Sequence, residues 1–406
     1  MPAKATKRRS PGEGSVWAYQ EKNGTERWAI GHPSFGTRRR GPNGEKWFTK
    51  KAAQEALRAK LVDASRGELV EPSKQKFSAY GAEVIDGLRV KPQTKASYIK
   101  NWRNHIAAYP LADVPLAQLT GVRLTAHYRV LEKSGRKDYR AGEPLSARTV
   151  RYIHTIIHGI LGQAVKDGLL QRNPADAATP PTAREAKAPE MTCWSSAQLA
   201  AFLGWSERHA QDHALWHVLA YTGMRRGEAL SLRWREIDPD AATVRIRRSA
   251  GIVRIAGEGA EMIEDDTKSS KPRVVDLDAA TVAVLRAWRK QRGSMALQLA
   301  RDDALVFGSI EGEHRNGEHV SRQFKRDEAR FLKAAGEDAP PEIRLHDLRH
   351  THATILLTAR EPIHVVSQRL GHASPVVTMT VYAHVLPGSQ REAADLFARL
   401  IGGASA

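Results

Sequence analysis

The residues best suited to chemistry lie in one stretch, residues 344–384, RLHDLRHTHATILLTAREPIHVVSQRLGHASPVVTMTVYAH. His346 and Arg349 fall one helical turn apart in HDLRHTHAT, His372 follows in LGH, and Tyr382 comes ten residues later in TVYAH. A phenol with a pKa of about 10 is a poor nucleophile at neutral pH. It needs a nearby base and a strongly electropositive site before it can attack. The electrophile that suits such a site is one that arginine can hold, because a guanidinium grips phosphate oxygens through paired hydrogen bonds and keeps its charge when buried. One arginine is too few for a dianionic transition state. A second stands upstream, Arg225 in YTGMRRGEALSLRW, with Glu228 three residues on. Nothing here has the form of a metal or cofactor box: His346, His350 and His352 cluster without the glutamate of HExxH.

These side chains need a scaffold. Gly371 is placed to end the helix before His372, and Pro375 to open a short one that carries Tyr382. Upstream, Ser195 or Ser196 caps a first helix, and ERHAQDHALWHVLAYTG reads as a second that leads into Arg225. His209, His213 and His217 would then sit at helical spacing on that second helix, as ordinary exposed and half-buried histidines rather than a metal ladder. Residues 243–277 alternate like strands in TVRIRRS, GIVRIAG and PRVVDL, and helices follow at about 279–292 and 321–335. The last segment, SQREAADLFARLIGG, carries the apolar set Ala394, Leu396, Phe397, Leu400 and Ile401.

The front half reads differently. Residues 14–48 hold strand-like pieces, GSVWAYQ, RWAIGHPSF and EKWFT, separated by Lys22-Asn23-Gly24 and Gly41-Pro42-Asn43-Gly44. Thr49 would cap the helix behind them, with Arg38, Arg39 and Arg40 on or beside a strand. Residues 1–12 read as a flexible basic arm. Residues 76–172 read as helices, one at about 77–88 and three opened by Thr94, Thr120 and Ser146. The last is amphipathic, with Val150, Ile153, Ile157, Ile160, Leu161 and Ala164 on one face and Arg148 and Arg151 off it. Tyr98, Trp102 and Tyr152 read as core. Residues 173–192, rich in Pro and Ala, read as a linker.

Charge follows the same division. The chain of 406 residues carries a net +18. Residues 1–175 hold 32 Lys and Arg against 15 Asp and Glu, and the remainder 31 against 30. A polyanion, most simply nucleic acid, is the partner such an asymmetry suits. One cysteine, Cys193, excludes an internal disulfide framework. The absence of a long apolar run and of a secretory pattern points to a cytoplasmic protein and away from membranes.

TGMRRGE, TKSSKPRVVDL, HDLRHTHAT, LGH and VYAH occur in the order used by the tyrosine recombinases, the phage integrase family, and the chain resembles that family over roughly its last 210 residues as motif and throughout as layout. The resemblance implies a multidomain fold: a small β-sheet plus helix arm-type DNA-binding domain (1–75), an all-α core-binding domain (76–172), the linker (173–192), a mainly α (α+β) catalytic domain (193–388) and a C-terminal tail (389–406). It implies that Tyr382 attacks a DNA phosphate and forms a 3′-phosphotyrosine, with no cofactor and no metal. Arg225 and Arg349 would clamp the scissile phosphate, and Glu228 would buttress Arg225, with Arg226 the decoy beside it. His346 would take the proton of Tyr382 or hold the phosphate, and His372 would bond a non-bridging oxygen. Lys268, nine residues before Leu277, matches the family's hairpin general acid, with Lys271 its rival. Arg38, Arg39, Arg40, Arg148 and Arg151 would contact DNA.

The partners implied are double-stranded DNA at core and arm sites and three further copies in a homo-tetramer, with room for a DNA-bending host factor and an excision factor. The C-terminal tail could pack on its own domain, and in the family such a tail often docks on a neighbouring subunit. The favoured expectation is an integrase of a phage or mobile element. A Xer-like resolvase, a topoisomerase of the same chemistry and an inactive DNA-binding regulator are the alternatives.

Overall fold

The computed structural model describes residues 14–33, 35–41, 44–65, 74–187, 190–255, 259–266, 272–383 and 390–402. The basic arm expected over residues 1–12 and the two candidate lysines, Lys268 and Lys271, lie outside them. The chain divides into two compact units, Met1–Ala188 and Pro189–Ala406.

The first unit opens with an antiparallel sheet of β1 (Ser15–Gln20), β2 (Glu26–His32) and β3 (Gly36–Arg38). Helix α1 (Lys50–Ser65) packs on one face, its Ala53 and Leu57 against Ile30, Phe35 and Trp47. Thr49 Oγ1 accepts from the Ala52 amide at 3.2 Å, the expected cap. The third strand is not EKWFT. That segment contributes only a bridge from Trp47 to Trp28, while Gly36–Arg38 pairs with Ile30–His32. The turn closes earlier because Phe35 donates its amide to His32.

Four helices follow: α2 (Phe77–Asp86), α3 (Pro92–Trp102), α4 (Gly121–Ser134) and α5 (Ala147–Lys166). Thr120 and Ser146 cap α4 and α5 through the Arg123 and Thr149 amides. Helix α3 starts at Pro92 rather than at Thr94, since proline lacks the amide that a first-turn residue would leave unpaired. The α5 stripe of Val150, Ile153, Ile157, Ile160, Leu161 and Ala164 is buried against Phe77, Trp102, Leu124 and Tyr128. Trp102 is core as expected, whereas Tyr152 is 37% exposed and reaches Ser97 through its hydroxyl.

The second unit contains α6 (Ser196–His209), α7 (His213–Thr222), the short α8 (Arg226–Leu230), strands β4 (Ile237–Asp238), β5 (Thr243–Ile246), β6 (Arg248–Ile255), β7 (Gly259–Asp266) and β8 (Arg273–Asp276), then α9 (Ala279–Met295), α10 (Gly317–Ala335), α11 (Asp347–Thr358), α12 (Ile363–Leu370), α13 (Pro375–Tyr382) and α14 (Gln390–Gly402). Strands β4, β5 and β8 form one antiparallel sheet, and β6 and β7 a separate hairpin. The strand β7 was not among the segments expected. Its sequence, GAEMIEDD, lacks the alternation that marks the others, and it is placed by its register with β6 from Arg248↔Asp266 to Ile255↔Gly259. Ser195 caps α6 in a reciprocal capping box with Gln198. The chain then leaves helical geometry at Ala210, and Asp212 is held by both terminal nitrogens of Arg315 at 2.6 and 2.8 Å. His209 therefore ends α6 while His213 and His217 begin α7, so the three do not form one ladder.

The main core gathers Trp194, Phe202, Trp216, Leu219, Phe307, Phe324 and Leu348. A smaller cluster of Ala353, Leu357, Val366, Leu370 and Tyr382 joins α11, α12 and α13. Among the described residues no helix is long and apolar enough to cross a membrane.

Candidate active site

The site is assembled by the ends of short helices. Helix α7 stops at Gly223, whose φ of 64° is left-handed. A Cβ there would lie 2.8 Å from Leu370 Cδ2 and 2.9 Å from His352 Cδ2, so glycine is required on both counts. The turn it makes sends Arg225 out as the N-cap of α8 and leaves the Gly223 carbonyl free to accept from Arg349 Nη1 at 2.6 Å. One tight turn thus places the two arginines that the motifs singled out.

Arg225 is held from one side by Glu228. The carboxylate accepts from the Arg225 amide at 2.9 Å and from its Nη1 at 2.9 Å, while Nη2 reaches the Gly371 carbonyl at 3.3 Å. Its neighbour Arg226 is exposed and bonds Ser321 Oγ at 2.6 Å, away from this cluster. Glu228 is only 2% exposed. Burial opposes its charge, yet the bidentate bond from Arg273 (3.1 and 2.7 Å) and the Arg225 amide bring its carboxyl below the usual range. Arg273 also donates from Nε to the Arg369 carbonyl at 3.0 Å. It lies so close under Gly371 (φ 67°) that a Cβ there would sit 2.7 Å from its Nη1. No motif marks Arg273, which stands in PRVVDL as one more basic residue of a strand. The signal that could have found it is the lone buried-type glutamate of TGMRRGE, which two arginines share.

Arg349 is 3% exposed, and burial together with the nearby Arg225 charge pushes its pKa down to about 9. Its Nη2 is buried without a hydrogen-bond partner among the described residues. An arginine so placed is a donor waiting for an acceptor. Three guanidinium groups with one carboxylate between them leave a net positive pocket, and an anion is what relieves it.

His372 follows Gly371 and shares a 2.8 Å hydrogen bond between its Nδ1 and Thr378 Oγ1, which leaves Nε2 for a ligand. Burial, Arg349 and Arg225 push its pKa to about 4. His346 precedes α11 and keeps part of its surface open to solvent. The protein around its ring, with His350 and Arg349, pushes it to about 4 as well. Both imidazoles are therefore neutral at pH 7, where each offers one donor and one acceptor.

Tyr382 ends α13 and is 1% exposed. Burial raises its pKa while the Arg349 charge pulls it back. Its hydroxyl lies 2.7 Å from Nδ1 of His350, not from His346, whose ring meets the His350 ring edge-on at 5.0 Å between centroids. The second unit thus brings Arg225, Glu228, His346, Arg349, His372 and Tyr382 into one cluster, with Arg273 and His350 added. The arrangement can hold a tetrahedral anion between two arginines and two neutral imidazoles and present a phenol to it.

The residues marked for DNA contact are in the first unit. Arg39 lies over the Tyr19 ring at 4.8 Å, and Arg40 bonds the Gly44 carbonyl. With Lys22, and with Lys46 paired to Glu21 at 2.6 Å, they line an open cleft of about 570 Å³. Arg38 is in register with Ile30, on the sheet face that α1 covers. Arg148 is exposed, while Arg151 donates to the Pro181 carbonyl at 2.7 Å. Another cleft, of about 560 Å³, lies in the other unit between Arg235, Arg245, Arg247 and Arg248, with Glu236 and Asp238 also on its wall.

Known proteins share this layout. Residues 195–388 match the model of the phage integrase family. The tyrosine recombinase XerC-like protein of Caldanaerobacter subterraneus subsp. tengcongensis is 24% identical over 319 residues, 75% of this chain and 77% of that protein. The ICEBs1 integrase of Bacillus subtilis is 26% identical over 311 residues, 74% of this chain and 77% of its own. Among solved structures, the Tn1549 transposon integrase in complex with transposon right end DNA superposes with a TM-score of 0.63 at 18% identity, over 80% of this chain and all of that one. A lambda integrase dimer bound to a core site gives 0.53 at 15% identity over 93% of this chain and 96% of that one. These structural likenesses establish the multidomain fold expected from the sequence. With the ordered motifs, the matched stretch and these relatives, residues 195–388 form a domain of the phage integrase family of tyrosine recombinases.

Proposed function

We infer that this chain is an integrase that cuts and rejoins DNA at specific sites through Tyr382. Site-specific recombination by tyrosine chemistry follows from the family; the residue roles are read from the cluster. Tyr382 Oη attacks the scissile phosphate, and the DNA 5′ oxygen leaves. Arg225 and Arg349 bind the non-bridging oxygens, where charge grows in the transition state. Glu228, gripped by Arg273, aims Arg225. His346 and His372 donate to the same oxygens, and Lys268 is the general acid that protonates the leaving oxygen. A 5′-hydroxyl of a partner strand then reverses the step, so one phosphodiester is exchanged for another. The observation that carries this reading is Arg349 Nη2, buried without a hydrogen-bond partner among the described residues, on a guanidinium that feels the charges of Arg225 and Tyr382.

The finer features are carried by the basic front half and by the relatives. Residues 1–75 form an arm-site domain and residues 76–172 a core-binding domain. The working complex is a homo-tetramer on DNA, as lambda integrase is a tetramer when bound to a Holliday junction. The exposed apolar side chains of α14, Leu396, Phe397, Leu400 and Ile401, suit docking on a neighbouring copy. A DNA-bending host factor and an excision factor fit the same scheme. A nicked suicide duplex tests the chemistry. Wild type should become covalently joined to it and Tyr382→Phe should not, with DNA binding retained. An adduct that survives in Tyr382→Phe would move the nucleophile elsewhere, and a bound protein that never forms an adduct would be a regulator.

A further inference from the structure

The tyrosine hydroxyl already has a partner, and it is not the histidine selected by motif order. His350 sits on α11, directly after Arg349 and one turn beyond His346. Its Nδ1 is 2.7 Å from Tyr382 Oη, and the two rings are 5.7 Å apart at 56°. Burial and Arg349 hold its pKa below the usual value, with Asp347 opposing. The ring is therefore neutral at physiological pH, and with its proton on Nε2 it can accept the phenol hydrogen at Nδ1. A buried phenol whose own pKa is raised needs such an acceptor more than an exposed one would. His346 lies behind His350, ring edge to ring face, rather than against the hydroxyl.

We propose that His350 is the catalytic base: it takes the Tyr382 proton onto Nδ1 as the Oη–P bond forms. The P–O5′ bond breaks, its electron pair leaves with the 5′ oxygen, and that oxygen takes a proton from the general acid. In the reverse step the 5′-hydroxyl gives its proton to the deprotonated general acid and attacks phosphorus, the Oη–P bond breaks, and His350 returns its proton to Oη. This assignment rests on Tyr382 being the nucleophile, and it frees His346 to serve as a donor to the phosphate. A competing role is available for the same contact, because a His–Tyr bond can also hold a hydroxyl away from substrate until DNA binds. The two roles have opposite consequences when the histidine is removed.

The experiment measures single-turnover adduct formation by the full chain on a suicide duplex. Wild type sets the reference; if it forms no adduct, the integrase reading itself fails, independently of His350. Given an adduct, His350→Ala should slow its formation by about 10²–10⁴, the usual contribution of a positioned base. His350→Gln keeps a hydrogen-bonding group but cannot take up the proton, and should be equally slow. A ring-fluorinated tyrosine at position 382, which has a more acidic phenol, should recover much of the loss in His350→Gln and little of the loss in Arg349→Ala. A 5′-bridging sulfur substrate should not rescue it, since the leaving group is not the defect. His350 variants at wild-type rate, or faster, would overturn the proposal, as would full activity of His350→Gln or fluorotyrosine rescue of His346→Ala alone.

Discussion

At the scale of single residues, the site balances three guanidinium groups on one buried carboxylate. Glu228 is shared by Arg225 and Arg273, while Arg349, among the described residues, donates to a backbone carbonyl instead. Each arginine therefore has a different failure. Arg225→Ala and Arg349→Ala should each cut the rate of adduct formation by about 10²–10³, the usual loss of one preorganised charge stabiliser. Arg226→Ala, whose partner is Ser321, should leave that rate within a few-fold of wild type. Arg273→Ala should lower both thermal stability and the adduct rate, because removing one partner of a buried pair costs about 3–5 kcal/mol. Thermal melts and suicide-substrate kinetics on the four variants check all of this; an Arg273→Ala protein with unchanged melting would sever the link from β8 to Arg225. Motif order points to Arg225, Glu228, His346, Arg349, His372 and Tyr382, since their types are unusual together, and the fold gathers them in one cluster. It could not find His350 or Arg273. Their roles depend on which ring and which guanidinium the fold points at a shared atom, and neighbouring histidines and arginines look alike in sequence.

Elements were legible where local chemistry decides them and illegible where a distant partner does. Thr49, Thr120, Ser146 and Ser195 each cap the helix expected of them, because a side-chain oxygen and an unpaired amide are three residues apart. The break between α6 and α7 was missed, since Asp212 is held by Arg315, far along the chain. Strand β7 was missed because pairing with β6, not alternation, makes it a strand. Gly223 shows how one element end governs the site. Its left-handed φ, the lack of room for a Cβ beside Leu370 and His352, and its carbonyl bond to Arg349 all meet at one residue. Gly223→Ala should lower the melting temperature by several degrees and slow adduct formation, because the turn must open and carry the Arg349 acceptor with it. Equal melting and equal kinetics in this variant would show that α12 gives way at no cost.

For the whole molecule, two balances matter, protons and salt. His217 and His352 are 7% and 8% exposed, and burial pushes both to about 4. His352 Nε2 accepts from Arg369 Nε at 3.1 Å, a bond that a protonated ring cannot keep. Between pH 6.5 and 4 the unfolded chain binds protons there that the folded chain does not, so stability should fall as pH drops through that window, by on the order of 3 kcal/mol per histidine. A melting temperature that stays flat from pH 7 to pH 5 would contradict this. Salt acts on the other half of the chain. Residues 1–75 carry 16 Lys and Arg against 8 Asp and Glu, and Arg39, Arg40, Lys22 and Lys46 line one open cleft beside Tyr19. Each phosphate contact should add about −0.9 to the slope of log K against log salt. Deleting residues 1–72 should leave a protein that still forms the adduct on a core-site suicide duplex, because every residue of the tyrosine cluster lies beyond Gly223 in the chain. The same deletion should lose a second class of sites outside the crossover region. Replacing Arg39 and Arg40 by alanine in the full chain should flatten the salt slope at those sites by up to about two contacts and leave core binding unchanged. Footprints of full-length and truncated protein on attachment DNA decide the matter: identical protection by both would make residues 1–75 an aid to core binding rather than a separate reader of DNA.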